Sequence, residues 1–406
     1  MGSALPRVLS AGGSVVESAV LYFSMPELSS LSRRRWLAST GTAVAGLALS
    51  GRFLNEEMRA QTMSPERLAA AAPGMTRLSL NENPLGPSPA AVEAMQRLIA
   101  GGRSSRYPFM ETNELIERIA RREGVTPDHI VLGVGSGEIL ETVGVHFGLA
   151  KGEVIYAAPG YLQLPRAMEA VGGKAIAVPL NSRMEHDLDA MASKVGRSTS
   201  IVYLANPHNP TGTVLDPAAL RSFVQELSTR TFVFVDEAYL DIADGYDRRT
   251  MVGLVNGDRP LLVARTFSKI YGLAGLRIGY GVTTPRFAEQ LRTYSTGSLG
   301  GPSVAAAIAS LKDDGYVANT RARIVAERQK LLDLLRELGR PYAEPQTNFV
   351  FFNAGRPHAE MFARMQAEGV TIARAFPPLL DWVRLTIGLP EENAHARKAL
   401  RTVLGR

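Results

Sequence analysis

Short apolar runs, each closed by a turn residue or an acid, recur from about residue 129 to residue 269. Helical stretches such as "LDAMASKV" and "PAALRSFVQEL" separate many of them. Strands that alternate with helices predict a mostly parallel central sheet with helices on both faces, which is an α/β fold. The runs that we assign to strands are "HIVLGVGSG", "VIYAAPG", "AIAVPL", "SIVYLANP", "TFVFVDEAY" and "LLVARTFSK".

The chain on either side of this region is patterned differently. Before it, "SPAAVEAMQRLIAGG" has Ser88 as a cap and Pro89 in the first turn, which predicts a helix, and "TNELIERIARREG" predicts another. After Pro302 come "SVAAAIASLKDD", a charged helix near 315–338 and three strands, "TNFVFFN", "GVTIARAF" and "WVRLTIGL". This order predicts a second, smaller α+β domain. The expected divisions are an N-terminal extension (1–60), an arm contributing to the small domain (61–110), a large domain (111–297) and a small C-terminal domain (298–406).

The N-terminal extension has the features of an export signal. In "SRRRWLASTGTAVAGLALSG", Arg33 and Arg34 precede an aromatic residue, a leucine and a weakly apolar run over residues 38–50. A membrane-spanning helix needs about 20 residues, so this run predicts no stable membrane insertion. Paired arginines in this setting resemble a twin-arginine signal. We therefore expect export to a periplasm by the twin-arginine machinery, with a cytoplasmic enzyme carrying an amphipathic extension as the alternative.

Composition narrows the range of functions. The 406-residue chain is 45% hydrophobic and 21% charged, as in an ordinary globular protein. Its net charge of +6 comes from scattered Lys and Arg residues without a basic block, which argues against nucleic-acid binding. The absence of Cys excludes disulfides, thiolate zinc sites and a Cys nucleophile, and no metal site is expected.

Polar residues at the ends of the predicted strands suggest a ligand site. In open α/β sheets, ligands bind beyond the carboxyl ends of the strands. In "GVGSGEIL", Gly135, Ser136 and Gly137 can offer backbone N–H groups to a phosphate, although the spacing is not that of a dinucleotide site. "NPHNPTGT" places Asn209 between prolines, and "FVFVDEAY" ends on Asp236. That carboxylate is either a helix cap or the partner of a buried cation.

The segment "RTFSKIYGLAGLRIGY" adds a lysine to this set. Lys269 follows Thr266 and Ser268 and precedes Arg277. Pyridoxal phosphate accounts for all of these groups, because it offers an aldehyde to a lysine, a phosphate to hydroxyls and arginine, and a phenolate oxygen to an amide. Its ring nitrogen becomes a strong electron sink when protonated, and a buried Asp stabilises that protonated form.

These stretches also resemble a known family. From about residue 76 to residue 406 the chain resembles the histidinol-phosphate aminotransferase group of fold-type I, pyridoxal-phosphate-dependent aminotransferases. The resemblance implies a homodimeric enzyme that moves an amino group between an amino acid, or a related amine, and a 2-oxo acid. The matching stretches are "LNENPLGPSP", "RYP", "GVGSGEIL", "NPHNPTGT", "DEAYLDI", "RTFSKIYGLAGLRIGY", "TNFVFF" and "VRLTIG".

The resemblance assigns roles around the cofactor. It implies that Lys269 is the Schiff-base lysine and general base, that Asp236 faces the ring nitrogen, and that the ring of Tyr161 stacks on the cofactor. Asn209 and Tyr239 would hold the phenolate oxygen. The cofactor phosphate would be held by Thr266, Ser268, Arg277 and the Ser136–Gly137 turn.

The resemblance also assigns residues to the substrate side and to the dimer. Arg384 matches the arginine that grips the acidic group of the substrate, with Asn348 beside it and Arg374 as a second anion contact. Tyr107 matches a tyrosine that reaches the phosphate of the neighbouring subunit. The remaining residues placed on the substrate side are Asn83 and Leu85.

Two positions depart from the family pattern. Leu85 stands where the family often has Tyr, and Gly137 stands where an acid is common. The missing hydroxyl and the export signal together favour a free α-amino acid or a related carboxylate over histidinol phosphate as the amino donor. A decarboxylase or lyase of the same fold shares every cofactor residue and stays open. More distant alternatives are a non-catalytic cofactor-binding protein and a nucleotide-dependent oxidoreductase.

Overall fold

A seven-stranded sheet forms the centre of the molecule, in the order β2-β8-β7-β6-β5-β3-β4. The computed structural model describes residues 75–257, 259–294 and 297–405. The strands of this sheet are β2 (Ile130–Gly133), β3 (Glu153–Ala158), β4 (Lys174–Pro179), β5 (Thr199–Ala205), β6 (Phe232–Asp236), β7 (Leu261–Thr266) and β8 (Gly279–Thr283).

The sheet is mostly parallel, as the sequence predicts. Strands β4, β3, β5, β6 and β7 pair in parallel, whereas β8 lies antiparallel to both β7 and β2. The sequence did not indicate β8, because the stretch "GLAGLRIGY", which runs into its first two residues, is rich in glycine and lacks the β-branched run of the other strands. The two glycines of β8, Gly279 and Gly281, are buried, and a Cβ at Gly279 would overlap the backbone of Ser136.

Helices cover both faces of this sheet. Side chains along each strand alternate between two cores: Ile201 and Tyr203 pack on one face, and Val202 and Leu204 pack on the other. The helices that pack on the sheet or flank it are α1 (Pro89–Ala100), α2 (Phe109–Glu123), α3 (Ser136–Leu149), α4 (Gln163–Ala170), α5 (Leu188–Ser193), α6 (Pro217–Leu227), α7 (Tyr246–Arg249), α8 (Pro285–Tyr294) and α9 (Gly301–Ser310).

The start of α1 shows why the local prediction held. Ser88 adopts an extended conformation, and its hydroxyl accepts a hydrogen bond from the N–H of Ala91. Pro89 occupies the first helical position, where its missing N–H costs nothing. The second predicted helix begins at Phe109, three residues before the position that the sequence indicated, and ends at Gly124 in the left-handed conformation.

A separate hydrophobic core is built from the C-terminal part of the chain. It joins residues of α10 (Asp314–Glu337), α11 (His358–Ala367) and α12 (Pro390–Leu404) with an antiparallel pair of strands, β9 (Phe349–Asn353) and β11 (Trp382–Thr386). Leu78 of the N-terminal arm belongs to the same core. The arm also supplies β1 (Thr76–Arg77), which pairs in parallel with β10 (Val370–Thr371).

The prediction of a strand over "GVTIARAF" was wrong for most of its length. Only Val370 and Thr371 are in a strand, because β1 offers two pairing residues and the chain then turns. Arg374 and Phe376 lie beyond the paired part and line a cavity. Two prolines follow at 377 and 378 and provide no N–H for a longer ladder.

Within the residues that the structure describes, no helix has both the length and the apolar character needed to cross a bilayer. The predicted twin-arginine segment lies outside these residues.

Candidate active site

A cavity of about 570 Å³ opens at the carboxyl ends of β5, β6 and β7. Ala205 and Asp236 are cross-strand neighbours at this edge, and Thr266 ends the next strand. Parallel pairing therefore brings residues that are far apart in the sequence to one place. Most of the predicted residues line the cavity: Ser136, Gly137, Tyr161, Asn209, Asp236, Tyr239, Thr266, Ser268, Lys269, Arg277, Arg374 and Arg384.

The amine of Lys269 lies beside a backbone oxygen and an aromatic ring. Its Nζ donates to the backbone oxygen of Asn81 at 3.2 Å and lies 5.3 Å from the centre of the Tyr239 ring. Lys269 sits in the turn after β7, three residues beyond the end of that strand. The turn holds the amine at the cavity, where a reactive nitrogen is accessible to a ligand.

The carboxyl of Asp236 is buried at the end of β6, with 6% of the residue exposed. It accepts hydrogen bonds from the N–H of Ala238 at 3.1 Å and from the Tyr203 hydroxyl at 3.3 Å. Burial raises its pKa to about 6, while those two hydrogen bonds and the charge of Lys269 oppose the rise. A cation placed against this carboxylate would relieve the cost of burying its charge.

The turn between β2 and α3 is shaped to receive a phosphate. Gly135 has φ +77°, and a Cβ there would overlap the guanidinium of Arg277. Backbone N–H groups at the start of α3 and the Arg277 side chain thus share one small space, and helix N-termini attract anions. Thr266 and Ser268 line the same cavity.

Tyr161 is held by a neighbour that the sequence reasoning did not select. Its hydroxyl donates to Oε1 of Gln163 at 2.6 Å, and Nε2 of Gln163 donates to Glu141 at 2.9 Å. The same amide would lie 2.7 Å from a Cβ at Gly137. The departure from the family pattern at Gly137 therefore has a structural reason, because Gln163 occupies the space of a side chain.

Two arginines face the cavity from the C-terminal part of the chain. The guanidinium of Arg384, in β11, donates to Oδ1 of Asn209 and to the backbone oxygen of Ser79. The guanidinium carbons of Arg374 and Arg384 lie 4.6 and 4.9 Å from the centre of the Phe376 ring. The two positive charges therefore converge on one aromatic ring and can bind an anionic group of a ligand.

Four predicted residues do not line the cavity. Asn83 donates to the backbone oxygen of Ile270, and its side chain accepts from the N–H of Leu85. Asn348 donates to two backbone oxygens of the arm. Tyr107 is 80% exposed, so within one chain it contacts nothing at the site.

Sequence reasoning missed a buried ionic cluster behind the strand ends. The guanidinium of Arg265 lies 2.8 Å from a carboxylate oxygen of Glu237 and 3.6 Å from one of Glu123. Burial raises the pKa of Glu237 to about 7, against the opposing charge of Arg265. Arg265 directly precedes Thr266 and Glu237 directly follows Asp236, so their ion pair links the ends of β7 and β6. The sequence does contain a sign of this cluster, because Arg265 and Glu237 are charged residues in otherwise apolar strand segments.

Asn81 is the other residue that was missed. It lines the cavity with φ +56°, and its side chain donates to the Tyr239 hydroxyl. Asn81 belongs to the stretch "LNENP", which matches the family, but the resemblance assigns no role to this asparagine.

Comparison with known proteins identifies the family. Residues 73–400 match the family "Aminotransferase class I and II". "Histidinol-phosphate aminotransferase 2" of Pseudomonas fluorescens (strain Pf0-1) is 35% identical over 373 residues, covering 91% of this chain and 98% of that protein.

Solved structures of aminotransferases have the same fold as this chain. The histidinol-phosphate aminotransferase of Sinorhizobium meliloti, in complex with pyridoxal-5'-phosphate, superposes with a TM-score of 0.77 at 29% identity, covering 84% of this chain and 94% of that one. The aspartate aminotransferase of Thermus thermophilus with maleate shares the fold, with a TM-score of 0.71 at 23% identity over 85% and 97% of the two chains. The chain belongs to the class I and II aminotransferases. It is a pyridoxal-phosphate-dependent enzyme that is similar to the histidinol-phosphate aminotransferases.

The residues of the cavity fit this cofactor. A cationic ring nitrogen matches the buried carboxyl of Asp236, and a phosphate matches the cradle between Gly135 and Arg277. When bound, the cofactor supplies an electron sink that eases removal of a proton from the carbon bearing the amine. Lys269 would provide the nitrogen that binds the cofactor and that moves this proton. Tyr161 flanks the same space.

Proposed function

We propose that this aminotransferase takes a free α-amino acid, or a closely related carboxylate, as amino donor. The observation that carries the proposal is the position of Arg384, whose guanidinium donates to Asn209. The family resemblance implies that Asn209 binds the phenolate oxygen of the cofactor. An anion bound by Arg384 therefore lies close to the reacting carbon, where an α-carboxylate is attached.

A planar guanidinium also orients such a substrate. Arginine binds a carboxylate through two parallel hydrogen bonds, which fix the carboxylate plane and with it the direction of the neighbouring C–H bond. A fixed C–H direction favours proton removal over loss of carbon dioxide, which distinguishes transamination from the decarboxylase or lyase alternative.

Histidinol phosphate is the second candidate. Two of the proteins named above, from Pseudomonas fluorescens and Sinorhizobium meliloti, carry it in their names, and Arg374 gives the cavity a second guanidinium that suits a dianion. Against it stands Leu85, which does not line the cavity and has no hydroxyl with which to reach a substrate.

A panel of amino donors separates the two candidates. The cofactor-loaded protein is mixed with single amino acids and with histidinol phosphate, and loss of the visible absorption of the cofactor is followed in the absence of an acceptor. We expect one or more free amino acids to bleach it fastest, with a 2-oxo acid as product. A strong preference for histidinol phosphate over every amino acid contradicts the donor assignment, and release of carbon dioxide contradicts transamination.

We also propose that the enzyme is a homodimer in which Tyr107 completes the site of the partner subunit. Support comes from an exposed apolar patch formed by Tyr107, Phe109 and Met110, which are 80, 72 and 76% exposed. Large exposed apolar side chains that lie together are typical of interaction surfaces. The rings of Tyr107 and Phe109 lie 5.7 Å apart.

Sedimentation of the active enzyme tests the dimer. We expect a dimer, with Phe109→Asp shifting it towards monomer and reducing activity in proportion. Tyr107→Phe should keep the dimer and weaken cofactor binding. Full activity in a sedimenting monomer contradicts the shared site.

Finally, we propose export in folded form by the twin-arginine route. The support is the sequence alone, with Arg33 and Arg34 before an apolar run too short to span a bilayer. Replacement of both arginines by lysine, which keeps the charge, should leave the protein in the cytoplasm. Wild-type protein found only in the cytosolic fraction contradicts the proposal.

A further inference from the structure

We propose that the Asn81 side chain is a positioning residue, which keeps the proton of the Tyr239 hydroxyl available for the ring oxygen of the cofactor. The inference rests on cofactor binding at Lys269 and adds a residue to which neither the family resemblance nor the comparisons assign a role. It starts from one contact: Nδ2 of Asn81 donates to the Tyr239 oxygen at 3.0 Å, and both residues are buried.

The orientation of the Asn81 amide is set by Thr386. The Thr386 hydroxyl accepts from the backbone N–H of Asn81 at 3.0 Å and donates to Oδ1 of the same residue at 3.1 Å. The carbonyl end of the amide therefore faces Thr386, and the NH₂ end faces Tyr239. Thr386 is in β11, two residues after Arg384, so the amide is anchored to the strand that carries the substrate-binding arginine.

The backbone of Asn81 also contacts the site. Its φ of +56° is in the left-handed region, which asparagine tolerates better than most residues other than glycine. Its backbone oxygen accepts from Nζ of Lys269 at 3.2 Å and from Asn348 at 3.0 Å. One residue of the arm thus contacts both the reactive amine and the tyrosine.

The consequence for Tyr239 follows from counting protons. A tyrosine hydroxyl carries one proton and also accepts hydrogen bonds. Because Asn81 donates to it, Tyr239 does not use its proton on Asn81. Accepting a hydrogen bond also polarises the hydroxyl, which makes it a stronger donor. The amide therefore leaves Tyr239 as a donor to an anionic ring oxygen.

The test measures the pH midpoint of the absorption change of the bound cofactor. A donor to the ring oxygen stabilises its negative charge, so loss of that donor makes the cofactor hold its proton to a higher pH. The variants are Asn81→Gly, which keeps the left-handed backbone and removes the amide, and Asn81→Asp, which keeps the shape and turns the donor into an acceptor. Each is made in wild type and in Tyr239→Phe. The melting temperature of each apoprotein is recorded alongside.

The expected results have a sign and an order. Asn81→Gly raises the midpoint by a few tenths of a pH unit, and Asn81→Asp raises it by about one unit because its carboxylate takes the tyrosine proton. In Tyr239→Phe, Asn81→Gly causes no further shift, and the remaining shift of Asn81→Asp measures its charge alone. Asn83→Ala is the matched control, an amide on the same arm that bonds Ile270. It lowers the melting temperature and leaves the midpoint unchanged.

Three outcomes overturn the proposal. A lower midpoint in Asn81→Gly means that the amide accepts from Tyr239. An equal shift with and without the tyrosine hydroxyl means that Asn81 acts by another route. A shift in Asn83→Ala as large as that in Asn81→Gly means that loosening of the arm is the cause. Failure of the cofactor assignment is seen separately, as absence of the cofactor absorption in wild type.

Discussion

The carboxyl of Asp236 has two roles that conflict in the absence of a ligand. Its site at the end of β6 excludes water, and burial raises its pKa to about 6. The same burial would make its negative charge a strong partner for a cationic ring nitrogen in the cofactor-loaded enzyme. The apoprotein therefore carries a cost that the bound cofactor removes.

Asp236→Asn should reveal both roles. The folded pKa lies above the ordinary value of 3.8, so the favourable contribution of Asp236 is fully present below about pH 4 and is lost as the pH rises through 6. A difference of about two pH units corresponds to about 3 kcal/mol. We expect the Asn apoprotein to gain up to that free energy of unfolding at pH 8 and none at pH 3.5, as measured by denaturant unfolding.

The same substitution should nearly abolish catalysis. A neutral amide keeps a hydrogen bond but not the charge, so the rate should fall by several powers of ten, on the scale of a dominant electrostatic contribution. An Asn variant with a near-normal rate would contradict the pairing with the ring nitrogen. One that loses stability at pH 8 would contradict the burial cost.

At the scale of elements, the turn from β2 into α3 depends on the absence of a side chain. Gly135→Ala should weaken binding of pyridoxal phosphate at least tenfold, because its Cβ overlaps Arg277. The control is Gly124→Ala. Gly124 also has a positive φ, +69°, but a Cβ there meets nothing within 4 Å. Gly124 is in the left-handed helical region, with ψ 33°, whereas Gly135 has ψ 161°, a conformation essentially restricted to glycine, so Gly135→Ala also carries the larger backbone strain.

Cofactor titration, followed by the change in absorption, provides the comparison. We expect a larger loss of melting temperature together with weaker cofactor binding in Gly135→Ala, and unchanged cofactor affinity in Gly124→Ala. Equal affinities would show that the turn between β2 and α3 does not hold the phosphate.

Which elements could be predicted from the sequence depends on how local their cause is. The parallel strands are continuous apolar runs, and α1 carries its own cap at Ser88, so local patterns were sufficient. Strand β8 is stabilised by two neighbouring strands rather than by its own composition. Strand β10 is short because its partner β1 is short, a limit set almost 300 residues away.

At the scale of the whole molecule, the arrangement of strands and arm determines which site residues could be predicted from the sequence. Residues at strand ends, such as Asp236 and Asn209, were predictable because a parallel sheet brings carboxyl ends together. Asn81 could not be assigned a role in this way, because its contact with Tyr239 spans 158 positions and requires the arm to cross the cavity. Gln163 was hidden for a similar reason, since its space exists only because Gly137 lacks a side chain.

The central claim is that Lys269 is the residue that binds the cofactor, and borohydride reduction followed by peptide mapping tests it most directly. The reagent converts the bond between lysine and cofactor into a stable amine. We predict that the added mass appears on the peptide containing Lys269. Lys269→Ala should bind the cofactor without a covalent bond, acquire no label and show no turnover. A label on any other lysine of the wild type, or turnover by Lys269→Ala, would contradict the account.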